Sequence, residues 1–372
     1  MNFSVALIAR NEEKTLPKLL SSLKGVKDIV LVDTGSTDKT IEVAKSFGVK
    51  VYEKKFNEII TKEKAKKINT FSRKNKENDI VNEKDICFNF AKARNWIAEK
   101  AENDFIFMPD CDEVVEWNLK EVEDLLNKVD KLEYNFIYSF DKEGRPVIQF
   151  KHSKFYNRKK FKWVRNIHEV LKGNGLTMFT DKILLKHYQN HETNRDQYLK
   201  GLAMDFIQNS YNDRNCHYFA RELMYKRYFK TAIDFFDIHI KNPGWKTEQG
   251  QSYTYKGDCY LYLGNIEEAI KNYAIGWTYD MNRREPLMNI GQILLNQKKY
   301  AEAERIFNLA NTIPKGNYYS NIEANYTHLP YHQLALCQYY LGRKEESFKN
   351  LKKALELDPN NEIYKNNLQF YQ

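Results

Sequence analysis

The apolar positions change their period partway along the chain. Up to about residue 190 they form short runs rich in β-branched residues: SVALIA (4–9), DIVLVD (28–33), VKVYEK (49–54) and FIFMPD (105–110). Runs of this length predict strands, and the apolar spacing over 14–24, 38–47 and 88–101 predicts helices between them. Strand alternating with helix reads as βαβ units on a mostly parallel sheet covered on both faces. In such sheets ligands bind beyond the carboxyl ends of the strands, where Asn11, Asp33, Asp110 and Asp112 all fall.

From about residue 213 the pattern becomes paired helices. Aligning YTYKGDCYLYLGNIEEAIKNY, LMNIGQILLNQKKYAEAERIF and YHQLALCQYYLGRKEESFKNLKKALELDP puts Gly257, Gly291 and Ala335 at one position and Ala269, Ala303 and Ser347 at another. The first two units lie 34 residues apart, and a ten-residue insertion around KGNYYSNIEA displaces the third. A more degenerate unit, CHYFARELMYKRYFKTAIDFFDIHI, fits ahead of them with Ala220 and Ala232 in the same places. The period and the small residues resemble tetratricopeptide repeats, in which small side chains let two antiparallel helices approach closely. The expected organisation is an α/β domain over 1–190, a linker helix over 191–212 and an all-α repeat array over 213–372.

Composition narrows the class. At 372 residues, with 42% hydrophobic and 29% charged residues, extended disorder is excluded. The net charge of +9 fits a polyanionic partner, whether nucleic acid, a nucleotide-phosphate donor or an acidic membrane surface, and 59 basic residues spread along the chain do not choose among these. Five widely spaced cysteines, Cys87, Cys111, Cys216, Cys259 and Cys337, contain no CxxC pair. They argue for a reducing compartment and against a structural zinc site. No apolar run approaches a membrane span, so the expected location is cytoplasmic, including the inner face of the membrane.

The chemistry gathers at the strand ends. In DFIFMPDCDEVV (104–115) a buried-looking strand delivers Asp110, Asp112 and Glu113, carboxylates that need a cation or hydrogen-bond donors once desolvated. Two hard oxygen ligands suit Mg²⁺ or Mn²⁺ held partly by substrate phosphates. In LVDTGSTDKT (31–40), Asp33 ends a strand, Gly35 permits a tight turn, and Ser36, Thr37 or Asp38 can cap the next helix. That turn also has a purely structural explanation. In ALIARNEEKTLPKLLSSL, Asn11 and Glu12 follow the first strand, and Thr15 and Pro17 start a helix.

Together these three stretches resemble the inverting glycosyltransferases of family 2, which have the GT-A fold. The resemblance implies that Ala9, Asn11 and Glu12 border the donor nucleotide, Asp33 accepts from its base, and Asp110 and Asp112 serve ribose and metal. FNFAKARNWIAEKAENDFIFMPDCDE (88–113) resembles the F-x-x-A-R-N helix of family-2 enzymes fused to tetratricopeptide repeats, placing Arg94 near the donor phosphates; an ion pair with Glu99 or Glu102 is the alternative. FKWVRNIHEVLKG (161–173) resembles the HE segment of the same subgroup, which makes Glu169 the candidate base beside His168, with Glu113 in reserve. His187 would complete the metal shell, while His152 and His191 read as packed or surface imidazoles. Trp163 lines the acceptor or sugar pocket, or else sits in the core.

The expected activity is a metal-dependent hexosyl transfer from a UDP-sugar to a peptide or protein acceptor bound by the repeats, which could also join copies of the chain. The nearest resemblance is to bacteriocin S-glycosyltransferases. A transferase of lipopolysaccharide core or surface polymer and an inactive repeat scaffold stay open as alternatives. The lysine-rich stretch 57–85 is expected to be a lid, a docking surface or an exposed insertion.

Overall fold

The computed structural model describes residues 3–140, 144, 146–188, 196–208, 214–242, 244–316 and 321–371. His191, both ends of the expected linker and residues 317–320 of the ten-residue insertion lie outside them. The chain forms two compact units, one made of 1–66 and 81–209, the other of 67–80 and 210–372.

From its N-terminus the chain runs β1 (Phe3–Ala9), α1 (Leu16–Ser22), β2 (Ile29–Asp33), α2 (Thr40–Ser46), β3 (Lys50–Glu53), β4 (Asn57–Ile59), α3 (Lys62–Lys74, in the second unit from residue 67 on), β5 (Ile86–Phe88), α4 (Phe90–Ala98) and β6 (Phe105–Phe107). It continues through β7 (Glu113–Trp117), α5 (Leu119–Leu126), β8 (Lys131–Phe140), β9 (Pro146–Asn157), β10 (Phe161–Val164), β11 (Val170–Gly173), β12 (Thr177–His187) and α6 (Asp196–Gln208). An eight-stranded sheet has the order β3-β2-β1-β6-β9-β8-β12-β7. The pairs β1–β2, β2–β3, β1–β6 and β8–β12 are parallel; β6–β9, β8–β9 and β7–β12 are antiparallel.

Strand alternation explains the two faces. In β1, Phe3, Val5, Leu7 and Ala9 pack with Leu16 and Leu19 of α1 and Val122 of α5, while Ala6 and Ile8 pack with Ala91, Ala93 and Ile97 of α4. A period of two sends neighbours to opposite faces, so a strand covered on both sides reads as an unbroken apolar run.

The stretch 57–85 is not a plain exposed insertion. β4 and β5 pair antiparallel at its base, Ile60, Ile68 and Ser72 are fully buried, and residues 67–80 belong to the second unit. There Phe71 packs on Phe235 with ring centroids 4.8 Å apart. The Glu77 carboxylate accepts the amides of Lys230 and Thr231, both at 3.0 Å, so a remote residue caps a helix start that its own sequence leaves uncapped. Nor is the helix expected over 191–212 a linker: α6 lies within the first unit.

The second unit pairs α7 (Asn215–Tyr225) with α8 (Phe229–Lys241), α9 (Lys246–Tyr262) with α10 (Ile266–Tyr279) and α11 (Glu285–Asn296) with α12 (Tyr300–Thr312). The short α13 (Glu323–Tyr326), α14 (Leu329–Tyr340), α15 (Lys344–Leu357) and α16 (Glu362–Asn367) complete it. The small residues sit where helices touch: a Cβ on Gly257 would lie 2.5 Å from the Tyr273 ring, and one on Gly291 2.4 Å from Phe307. The turn within each pair uses one left-handed residue, Gly264 and Gly342 in two of them and Arg227 and Lys298 in the others. The five cysteines are all buried, and none of them is in a disulfide.

Candidate active site at the strand ends

The loops after β1 and β2 lock onto each other. Asn11, at a left-handed φ of 58°, donates its backbone N–H to the Ser36 hydroxyl at 2.9 Å and accepts the Thr37 amide on its side chain at 2.8 Å. The Asp33 carboxylate is 2% exposed and receives the Gly35 and Ser36 amides, both at 2.9 Å, together with the Ser36 hydroxyl. Its oxygens therefore hold the turn, which is the structural role open to it from sequence. None of the three candidates is the N-cap of α2, which is Lys39; Asp38, just ahead of it, accepts the Thr40 amide at 3.0 Å. Ala9 lies beside Asp33 in register, 1% exposed.

Past β6 the chain turns sharply. Cys111 points inward to the Ile8 carbonyl at 3.3 Å, leaving Asp110 and Asp112 on either side of it. Asp110 and Glu113 bond reciprocally, the Asp110 amide donating to the Glu113 carboxylate at 2.8 Å and the Glu113 amide to the Asp110 carbonyl at 3.0 Å. Glu12 faces this cluster: burial raises its pKa, the Thr15 hydroxyl at 2.5 Å opposes that, and Asp112 and Asp110 raise it further.

Two cations enter the cluster. Lys154 of β9 donates to Asp110 and to Glu113, at 2.6 Å each, and Arg94 of α4 donates to Asp110 at 2.7 Å and to Glu169 at 2.6 Å. Burial pushes against the Asp110 carboxylate, yet Lys154 and Arg94 hold its pKa well below the usual range; its side chain is still 43% exposed. Glu113, 1% exposed, is pushed up to about 7 by burial, with Lys154 opposing and Asp110 adding to the rise. Burial alone would discharge Lys154, but Asp110 and Glu113 raise its pKa. Charges this deep persist only when paired and hydrogen-bonded.

The structure places the other candidate residues as follows. Arg94 is 5% exposed and pairs with neither Glu99 nor Glu102. Each Asp110 oxygen accepts from a side-chain cation, one from Arg94 and the other from Lys154. Trp163 takes the core alternative: it is 4% exposed, donates its indole N–H to the Tyr156 hydroxyl at 2.9 Å and lies 4.9 Å beneath the Arg94 guanidinium. His152 packs against Phe136 at 5.0 Å, and burial holds it neutral, with its pKa lowered to about 3. His168 sits at a φ of 52° with its ring 6.0 Å from Tyr198.

Asp112 and His187 do come together. His187 Nε2 lies 3.1 Å from Asp112 Oδ2, and Nδ1 lies 3.0 Å from the Tyr138 carbonyl. A carbonyl can only accept, so Nδ1 carries the proton and Nε2 is aimed at the carboxylate. Burial disfavours the imidazolium, but Asp112 raises the His187 pKa. A histidine held through its second nitrogen by a backbone carbonyl is arranged as metal-binding histidines are. Among the described residues no group of three or more His, Cys, Asp or Glu is set to hold a metal alone. Two protein ligands suit Mg²⁺ or Mn²⁺ completed by substrate oxygens. Both line a cleft of about 410 Å³, with Lys14 and Lys18 beside them and Tyr138, Phe140 and Tyr188 along it.

Lys154 was missed from sequence. Strand alternation gave no clean signal, since β9 shifts register against β8 between His152 and Phe155, and Lys154, Phe155 and Tyr156 are all buried in a row. A lysine at an inward position calls for carboxylate partners.

Residues 4–69 match the family model Glycosyl transferase family 2, and 285–317 and 328–361 match tetratricopeptide repeat models. A 4,4'-diaponeurosporenoate glycosyltransferase from Staphylococcus haemolyticus is 46% identical over 54 residues, spanning 14% of this chain and 14% of that relative. Among solved structures, a crystal structure of MamA is 13% identical and covers 46% of this chain and 96% of its own, with a TM-score of 0.38. The crystal structure of YrrB, a TPR protein with an unusual peptide-binding site, is 15% identical over 47% of this chain and 83% of its own, with a TM-score of 0.36. The chain thus carries a family-2 glycosyltransferase segment at its N-terminus and tetratricopeptide repeats at its C-terminus. No helix among the described residues is long and apolar enough to cross a membrane.

Proposed function

We propose that the first unit transfers one sugar from a UDP-sugar, with inversion, to a peptide or protein acceptor, and that the repeats bind this acceptor. The observation that carries the reading is the pairing of Asp112 with a tautomer-locked His187 in a cleft that also holds Lys14 and Lys18. Asp112 and His187 would hold Mn²⁺ or Mg²⁺, which supplies Lewis-acid stabilisation to the departing diphosphate. Lys14 and Lys18 add positive charge for the phosphates. Asn11 and Glu12 border the nucleotide, Asp110 stays anionic toward the ribose, and Glu169 takes the acceptor's proton as it attacks the anomeric carbon. Arg94 orients both carboxylates from one guanidinium.

Thermal unfolding with UDP and Mn²⁺, then with EDTA, tests the reading. A rise in Tm that EDTA removes and that Asp112→Asn lacks is expected. No rise with uridine, guanosine or cytidine nucleotides would leave a repeat scaffold. A non-peptide acceptor is a second reading, favoured by the diaponeurosporenoate in the staphylococcal relative's name; competition between acceptors separates the two.

A further inference from the structure

The loop over 165–169 carries the proposed base in a backbone that needs outside support. Arg165 and His168 adopt left-handed φ values of 80° and 52° although neither is glycine. Such a conformation is strained for a residue with a Cβ, so neighbouring structure must hold it.

That support comes from α6. Asp205, 0% exposed, accepts the Asn166 amide at 2.6 Å and the Ile167 amide at 3.2 Å. One turn earlier on the same helix face, Gly201 presses on the loop: a Cβ there would lie 2.2 Å from Ile167 Cγ1. From α4, the Phe90 N–H donates to the Asn166 carbonyl at 3.1 Å. The helix is itself anchored at the β4–β5 stem, by Lys200 to Asp85 at 2.7 Å and by Gln208 to Glu58 at 2.9 Å. Two residues beyond Ile167, Glu169 meets Arg94.

We infer that Asp205 is a positioning residue for the proposed transfer: through the amides of Asn166 and Ile167 it fixes the loop so that Glu169 stays against Arg94. The inference rests on the function proposed above. Burial pushes the Asp205 pKa up to about 7, against the two amide bonds. A carboxylate kept in so costly a place is consistent with a role for its geometry.

Asp205→Asn retains one acceptor oxygen where the carboxylate supplies two. Gly201→Ala displaces Ile167 without touching a charge, and alanine favours a helix over glycine, so a loss in that variant does not come from a weakened helix. Both are measured in the full chain for UDP-sugar turnover and for hydrogen exchange at amides 166 and 167. Each variant is expected to lose about tenfold or more in kcat with donor KM nearly unchanged, and to exchange these amides about tenfold faster. Wild-type exchange in both variants overturns the inference, whether or not kcat falls; accelerated exchange with unchanged kcat overturns the positioning role. Absence of turnover in the wild type would sink the proposed function, and exchange alone would then decide whether Asp205 holds the loop.

Discussion

In the first unit, buried charges meet partners far away in sequence: Arg94 reaches Asp110 across 16 residues and Glu169 across 75. In the second unit, the buried positions that recur are small, with Ala269, Ala303 and Ser347 each 0% exposed, and each meets a helix that is its neighbour in sequence. A repeat gains stability by bringing like backbones close and repeating the contact. A reactive centre instead needs several unlike groups at one point, and a parallel sheet provides that by ending distant strands side by side. The difference shows in backbone strain as well. The left-handed residues of the repeats fall at matched turns, while those of the first unit that touch the candidate site, Asn11, Arg165 and His168, fall in its loops.

The comparison breaks most sharply at Lys154. Lys154→Met leaves Glu113 and Asp110 without this cation and is expected to destabilise the first unit by about 3 kcal/mol, because an unpaired buried charge is left behind. The repeat unit should unfold as before in the same denaturant titration. A loss below about 1 kcal/mol would mean that the buried ion network is not what holds the strand ends.

The mirror experiment is Gly291→Ala. Its Cβ would enter the Phe307 ring, and overpacking at such a contact is expected to cost roughly 2 kcal/mol in the repeat unit. Binding of UDP with Mn²⁺ should not change. Weakened nucleotide binding would show that the two units are energetically coupled.

Acid sharpens the contrast from within the repeats. His332 is 8% exposed, and its Nε2 accepts from Asn367 at 3.1 Å. Burial, with His328 beside it, lowers its pKa from 6.5 to about 4. Below pH 6.5 the unfolded chain takes up a proton that the folded chain refuses, so stability falls as pH drops toward 4. A loss on the order of 1 kcal/mol is expected and should be absent in His332→Gln. The smallest effect belongs to Lys298→Gly: relief of a left-handed turn should stabilise the repeats by about 0.5 kcal/mol, net of the added freedom of the unfolded chain. Both are read as shifts in the unfolding midpoint.

Much of the outline was legible. The strands expected at 4–9, 28–33 and 49–54 appear at Phe3–Ala9, Ile29–Asp33 and Lys50–Glu53, because a two-sided strand leaves an apolar run that no helix of that length would. The small residues at 257, 269, 291 and 303 lie at tight helix contacts, because their 34-residue recurrence is itself the signature of stacking. Less of the site was legible. Asp112 and His187 meet across 75 residues, and their order along the chain was a usable clue only through family resemblance. Lys154 and Asp205 carried no such clue. Trp163 was left between pocket and core, since a tryptophan under a guanidinium reads the same in sequence whichever it faces.

Local periodicity determined the elements, their two classes and the division into a sheet half and a repeat half. Those properties depend on neighbours within a few residues, and a linear pattern records them directly. Tertiary structure decided which carboxylate takes a cation from a side chain and which stands beside a histidine. It also decided that 67–80 packs with the repeats, and that α6 holds the loop bearing Glu169. Those outcomes depend on which strand ends and helix faces meet and on how deeply each charge is desolvated when they do, and neither quantity exists until the chain has folded.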